Sequence, residues 1–214
     1  MTQEHFQAEY ARVFSHPALS VWQPCAKSFY DLTELLLDCN AQMNLTAITD
    51  LHEILCKHYA DSLTAAPYLP QNARVIDVGC GGGFPTLPLA IARPDLSITA
   101  LDSTAKKLTF VAQAALALHL SVKTLNARAE EAARNADFRQ SFDAVVSRAV
   151  ARLQILCELC LPFLRVGGIF VALKGSAAEQ ELSDAKNAIA RLGGKVEDVI
   201  AADLGEPDQA ASHT

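Results

Sequence analysis

Apolar residues recur along this chain with two different periods, and the change between them falls near residue 72. Before it the spacing is helical. Across 24–42, Phe29, Leu32, Leu35, Leu36 and Cys39 lie three or four residues apart, which gathers them on one stripe of an amphipathic helix. A shorter, acidic helix is predicted around 3–14 and a third over 50–66. From Ala73 onward, short runs rich in β-formers alternate with helical stretches. The runs are 74–78, 97–101, 122–125, 142–146, 168–173 and 195–200, and several are nearly continuous in Val, Ile and Leu, as strands covered on both faces are. Helices are predicted at 86–92, 104–119, 129–136, 149–164 and 176–192. This alternation predicts a doubly wound α/β domain with a mostly parallel sheet over 73–202. A helical leader, 1–72, precedes it, and 203–214 reads as a polar tail.

Composition narrows the class. A chain of 214 residues, 50% hydrophobic and 20% charged, suits one compact domain with a small appendage and excludes disorder, collagen and coiled coil. No apolar stretch approaches the ~18 residues of a spanning helix, and the first twelve residues carry charges in place of a signal peptide's apolar core. A soluble, cytoplasmic protein is expected. Six cysteines include a C-x-x-C at Cys157 and Cys160, but no second pair stands at metal-ligand spacing. Both are expected to be apolar helix residues, and no metal is expected.

The segment Gly79-Cys80-Gly81-Gly82-Gly83-Phe84 follows the first predicted strand. Glycines there let the backbone approach a ligand at the strand's carboxyl end, where open sheets bind cofactors. The dinucleotide fingerprint wants glycine or alanine at the sixth place, and Phe84 stands there. S-adenosylmethionine carries an ammonium and a sulfonium but no pyrophosphate, so Asp77, two residues upstream of the loop, suits it better. Asp102, at the end of the second strand, is placed to accept ribose hydroxyls in either cofactor class and does not decide between them.

Asn44-Leu45-Thr46, His58-x-x-Asp61-Ser62-Leu63, the Asp77 to Pro85 loop, Leu101-Asp102-Ser103, Ala129-Glu130, Ser147-Arg148-Ala149 and Leu173-Lys174-Gly175 occur in that order. Together they resemble the RsmG (GidB) family, bacterial 16S ribosomal RNA guanine-N7 methyltransferases that use S-adenosylmethionine. The resemblance implies a Rossmann-like methyltransferase fold. It implies a cofactor site of Asp77, Gly79, Gly81, Gly83, Phe84, Asp102, Ser103, Ala129, Glu130 and Arg148, with 16S ribosomal RNA or a small-subunit particle as partner. Arg148 and Lys174 are then the positioning and RNA-binding candidates. The chain departs from the family pattern at Thr86, where glycine is usual. It departs again after Ile200, where a final hairpin strand is usual, so an exposed sheet edge is expected.

The implied chemistry is undemanding. Guanine N7 has a free in-plane lone pair, so alignment with an activated methyl group can supply much of the acceleration, up to ~7–11 kcal/mol, and no general base is required. Neither a Pro-Cys at a strand end, as cytosine C5 methylation needs, nor an Asn/Asp-Pro-Pro-Tyr box after the fourth strand is present. A small-molecule or protein acceptor and an NAD-dependent oxidoreductase are the alternatives. His58 and Asp61 are expected to form a polar seam between leader and sheet.

Charge is uneven. The chain is −6 overall, yet 104–174 carries +5 between flanking segments of −5 (1–72), −1 (73–103) and −5 (175–214). Ten cations there, Lys106, Lys107, Lys123, Arg128, Arg134, Arg139, Arg148, Arg152, Arg165 and Lys174, are the candidates for an RNA-facing patch.

Overall fold

A computed structural model of the chain describes residues 1–202 and Leu204. The tail expected at 203–214 therefore lies, Leu204 apart, outside the described residues. The leader opens with α1 (Gln3–Val13), whose first turn is capped by the Thr2 hydroxyl accepting from the His5 N–H at 3.3 Å. A 3₁₀ turn, Ser20–Cys25, leads into α2 (Ala26–Met43), which ends at Asn44 in the left-handed conformation. The helix predicted at 50–66 is not uniform. It runs as α3 (Leu51–Glu53), a π-helical stretch (Ile54–Ala60) and α4 (Asp61–Leu63). Widened turns of this kind are rare and occur often at functional sites.

Five strands follow: β1 (Arg74–Val78), β2 (Ser97–Asp102), β3 (Val122–Asn126), β4 (Phe142–Arg148) and β5 (Leu164–Leu173). They are connected through α5 (Thr86–Ala92), α6 (Ala105–Ala117), α7 (Ala129–Ala132) and α8 (Leu153–Cys160), and α9 (Ala178–Arg191) follows β5. Every pairing is parallel and the order is β3-β2-β1-β4-β5. The winding direction reverses between β1 and β4, the place where open sheets leave a crevice at their carboxyl ends.

The parallel sheet is covered on both faces, so neighbouring residues of β1 enter different cores. Val75 joins the leader, α5 and α6, whereas Ile76 and Val78 join Leu156, Cys160 and Phe163 on the other side. The leader shares its core with the sheet: the first cluster runs from Phe6 and Tyr10 through Phe29 and Leu36 to Leu87, Phe110 and Val146. A file of rings traces the path. Tyr10 stacks on Phe14 (4.1 Å), and Phe29 and Tyr59 (4.8 Å) carry the contact to Phe84 of the glycine loop (6.2 Å from Tyr59). Cys157 and Cys160 are buried on α8 and free, as expected of apolar helix residues.

One predicted strand is absent. Residues 195–200 are described but irregular, with Val196, Val199 and Ile200 about half exposed. A strand is stabilised by its ladder, and among the described residues β5 pairs only with β4, so no ladder there holds this run extended. Asp198 instead accepts a hydrogen bond from the next residue's N–H (2.8 Å). Among the described residues β5 is consequently a sheet edge, with Val166 94% exposed.

Because leader and sheet share one core, urea unfolding followed by fluorescence of Trp22, in the leader, should coincide with unfolding followed by far-ultraviolet circular dichroism. Phe29→Ala should lower both midpoints together, at a cost of ~3–5 kcal/mol. Two separated transitions would show that the leader is independently stable.

Candidate functional site

A cleft of about 470 Å³ opens where the sheet winding reverses, at the carboxyl ends of β1, β2 and β4. A hollow of about 540 Å³ lies at the opposite end of β1 and β2, but its arginine is already committed. Arg93 there donates to the carbonyls of Ala66, Leu69 and Pro70 and to Asp95, and so buttresses the loop entering β1. The chemistry lies at the first cleft.

Its floor is the glycine loop, hung from β2. The N–H groups of Gly79 and Cys80 both donate to the Leu101 carbonyl (2.8 and 3.1 Å), and that of Gly81 to Asp102 Oδ2 (2.9 Å). The other Asp102 oxygen accepts from the Thr104 N–H (2.7 Å). Gly81 and Gly83 both have positive φ, 55° and 91°, for different reasons. A Cβ on Gly83 would come within 2.6 Å of Leu87 Cδ1, so that glycine permits packing of α5. A Cβ on Gly81 would meet nothing within 4 Å, so that glycine keeps the cleft open.

Asp77 is displaced from its expected role. Its side chain is completely buried behind the loop and does not line the cleft. Oδ2 accepts from the Thr86 hydroxyl (2.6 Å) and N–H (3.2 Å), while Oδ1 has no hydrogen-bond partner. Burial pushes this carboxyl up to about 7, against the opposing pull of Thr86 and of Arg148. Thr86, where the resemblance leads one to expect glycine, supplies a hydroxyl that a glycine could not.

Arg148, the last residue of β4, joins three parts of the molecule. Nη1 donates to the Lys57 carbonyl (2.7 Å) and to Asp61 Oδ2 (2.8 Å), Nη2 lies 3.4 Å from His58 Nδ1, and the guanidinium sits over the Phe84 ring (5.6 Å). His58 stacks on the same Phe84 ring, 4.3 Å between centroids and nearly parallel. Burial, then Arg148, brings the imidazole down to about 4. It is neutral at pH 7, and facing Arg148 makes Nδ1 the acceptor, which leaves Nε2–H for the Thr46 hydroxyl at 2.8 Å. The next residue, Ala149, turns back with φ of 52°, unusual for a residue with a side chain.

Of the predicted site residues, Gly79, Gly81, Phe84, Asp102, Ser103, Ala129, Glu130 and Arg148 border the cleft, and Asp77 and Gly83 support it from behind. Lys174 does neither. Its ammonium is held by Glu181 (2.6 Å) and the Ala151 carbonyl (2.8 Å) with the side chain 13% exposed, so its charge ties the end of β5 to α9. The cleft wall from the leader was not foreseen: Leu45, Thr46 and His58 border it. The signal lay in Asn40. Its Oδ1 accepts from the N–H groups of Leu45 and Thr46 (2.7 and 2.9 Å) and its amide donates to the Thr46 carbonyl (3.0 Å), fixing this turn against the loop. Among the described residues no three His, Cys, Asp or Glu side chains gather as a metal site, and no helix is long and apolar enough to cross a membrane.

Comparison with known proteins gives a consistent result. The family described as rRNA small subunit methyltransferase G matches residues 26–208. A protein of Exiguobacterium named ribosomal RNA small subunit methyltransferase G is 51% identical over 165 residues, 76% of this chain and 69% of its own. Another of that name from Brevibacillus brevis is 44% identical over 202 residues, 93% and 83% of the two chains. Among solved structures, the [4+2]-cyclase SpnF superposes with a TM-score of 0.53 at 21% identity, over 75% of this chain and 69% of that one. A ribosomal protein L11 methylase from Lactobacillus delbrueckii gives 0.51 at 18%, over 69% and 74%. These two are alike in fold.

The two glycines should separate experimentally. Gly83→Ala should destabilise the fold by ~1–3 kcal/mol through overpacking against Leu87, read as a lower thermal midpoint. Gly81→Ala should cost only the ~1–2 kcal/mol of a side chain in the left-handed conformation, but should weaken ligand binding in the cleft at least tenfold by calorimetry. Asp77 gives a pH signature. Its folded value, about 7, stands above its ordinary 3.8, so the native state keeps a proton that the unfolded chain has lost. Stability should therefore fall as pH rises from about 4 to about 7, with a limiting slope near 1.4 kcal/mol per pH unit. Asp77→Asn, followed by urea midpoints across that range, should remove this component.

Proposed function

The chain belongs to the rRNA small subunit methyltransferase G family, and from that premise we propose that it transfers the methyl group of S-adenosylmethionine to N7 of a guanine in 16S ribosomal RNA, in the cytoplasm. The observation that carries the reading is the open cradle at Gly81, with a carboxylate, Asp102, bonded to its rim. A nucleoside lies well against such backbone, and Asp102 and Ser103 stand where ribose hydroxyls are ordinarily held. Phe84 at the sixth loop position sets this cleft apart from a dinucleotide site.

Bound in this cleft, S-adenosylmethionine supplies an electrophilic methyl group on a sulfonium centre. The residues here have to align it and keep water away. The Gly79–Gly82 backbone would hold the cofactor, while Phe84, His58 and Leu45 close the side nearest the leader. No side chain has to take a proton, because N7 attacks through a lone pair that carries none. The site's composition agrees. His58 has both ring nitrogens occupied, by Arg148 and Thr46, and Cys80 is kept a thiol by burial and by the charges of Asp77 and Asp102, so neither is a base or nucleophile in waiting. Arg148, spent on Lys57 and Asp61, positions the wall and leaves N7 free of the bidentate contact that would block it.

In 16S ribosomal RNA from a strain deleted for this gene, one N7-methylguanine should be missing, and the wild-type gene should restore it. The purified protein should label 16S RNA with methyl from the radioactive cofactor and leave free guanosine unlabelled. Equal labelling of guanosine would refute an RNA acceptor. Arg148→Ala should lower kcat/KM at least a hundredfold, by releasing the leader wall.

A further inference from the structure

The ten cations of 104–174 sort into two groups once folded. Four are matched: Arg148 with Asp61, Arg152 with Asp184, Arg165 with Asp143 and Lys174 with Glu181, all at 2.6–2.9 Å. Among the described residues the other six have no carboxylate within 4.0 Å, and three of these stand at the cleft. Lys107 and Arg128 border it directly. Lys106 precedes Lys107 at the start of α6, with Nζ 3.5 Å from the Gln42 carbonyl at the end of α2, so it occupies the rim towards the leader.

This grouping has an electrostatic consequence. Lys107 is partly exposed on the cleft border and, among the described residues, has no carboxylate within 4.0 Å, so its ammonium is open to an anion from outside. Asp102, the nearest acid in the chain to these lysines, has its two oxygens engaged by the N–H groups of Gly81 and Thr104. Glu130 is the other carboxylate on the cleft border. Arg152, Arg165 and Lys174, none of which borders the cleft, are paired, and the leader and the last forty residues are each −5. A polyanion is attracted over the start of α6 and the turn after β3, and repelled by the acidic leader and the acidic end of the chain.

We infer that Lys106, Lys107 and Arg128 form the surface that holds the RNA backbone, and that the strand enters the cleft from the β3 side. The inference rests on the RNA methyltransferase reading above and adds the surface to it. Phosphates bound by these three side chains release counterions, so affinity must fall with salt in proportion to the contacts made.

The test measures binding of transcribed 16S RNA against potassium chloride concentration for wild type, for Lys106→Gln/Lys107→Gln/Arg128→Gln and for Arg152→Gln. The triple variant should bind at least tenfold more weakly at 0.1 M salt, and its slope of log affinity against log salt should be shallower by about two to three. Its thermal midpoint should match that of wild type, which establishes that it is folded, and its affinity for S-adenosylmethionine, by calorimetry, should fall less than its affinity for RNA. Arg152→Gln should match wild type. An unchanged slope in the triple variant, or loss of the slope in Arg152→Gln, overturns the assignment of the rim. Equal losses for cofactor and RNA overturn it too, since the rim would then serve the cofactor's carboxylate. Wild type that binds no RNA and methylates a polypeptide overturns the parent reading, a result distinct from the others.

Discussion

One guanidinium decides where the leader must lie. Arg148 ends β4 with its side chain 16% exposed, and its partners, the Lys57 carbonyl and Asp61, belong to the leader. The attraction to Asp61 is modest, because that carboxylate is 41% exposed and solvent screens it, as for pairs worth ~0–1 kcal/mol. The stronger constraint is the penalty avoided. If the leader moved away, a charge that is largely out of water would lose its acceptors, and such losses cost several kcal/mol. The π-helical stretch brings Lys57, His58 and Asp61 to this one group, and the Phe84 ring lies between it and the glycine loop. The cleft thus takes one wall from the leader, at Leu45, Thr46 and His58, and the rest from the sheet and its loops.

Beneath the loop a second polar group is held at greater cost. Asp77 is placed by the two-residue period of β1 on the face towards α5, where Thr86 begins the helix. Its Oδ2 holds that first turn through two hydrogen bonds and so fixes the exit of the loop, but desolvation outweighs them and Oδ1 stays without a partner. An apolar residue would remove the penalty and the tether together. The strand therefore sacrifices some stability to set the path of backbone between Val78 and Thr86, the path that leaves Gly81 facing open space.

Much of this was legible in the sequence, for reasons that differ by element. Strands β1, β2 and β4 are buried on both faces and read as continuous apolar runs; the helical stripe of α2 is as plain. The glycine loop was readable because a backbone that turns at φ > 0 demands glycine. The run at 195–200 misled because β-propensity describes fitness for a sheet position without showing that a neighbouring strand exists. Lys174 misled in the same way. Its place after a strand was read correctly, but whether an ammonium faces solvent or Glu181 depends on α9, which no local pattern relates to it. Leu45 and Thr46 became visible as cleft residues only through the Asn40 hydrogen bonds that turn them inward.

Charge shows the same dependence on pairing. A net of −6 hides a +5 segment, and the +5 in turn hides the fact that four of its ten cations are neutralised within the fold. What a polyanion meets is the remainder, and its position follows from geometry that composition does not contain. Lys106 and Lys107 lie in the first turn of α6, which has no acidic residue. The helix dipole disfavours cations there, by ~0.3–1 kcal/mol each at an exposed site. A carboxylate would be the stabilising choice for the helix in isolation. Two lysines there, with Arg128 across the same cleft and no counter-ion among the described residues, are accounted for by an anion that arrives with the substrate, whose binding offsets what the helix loses.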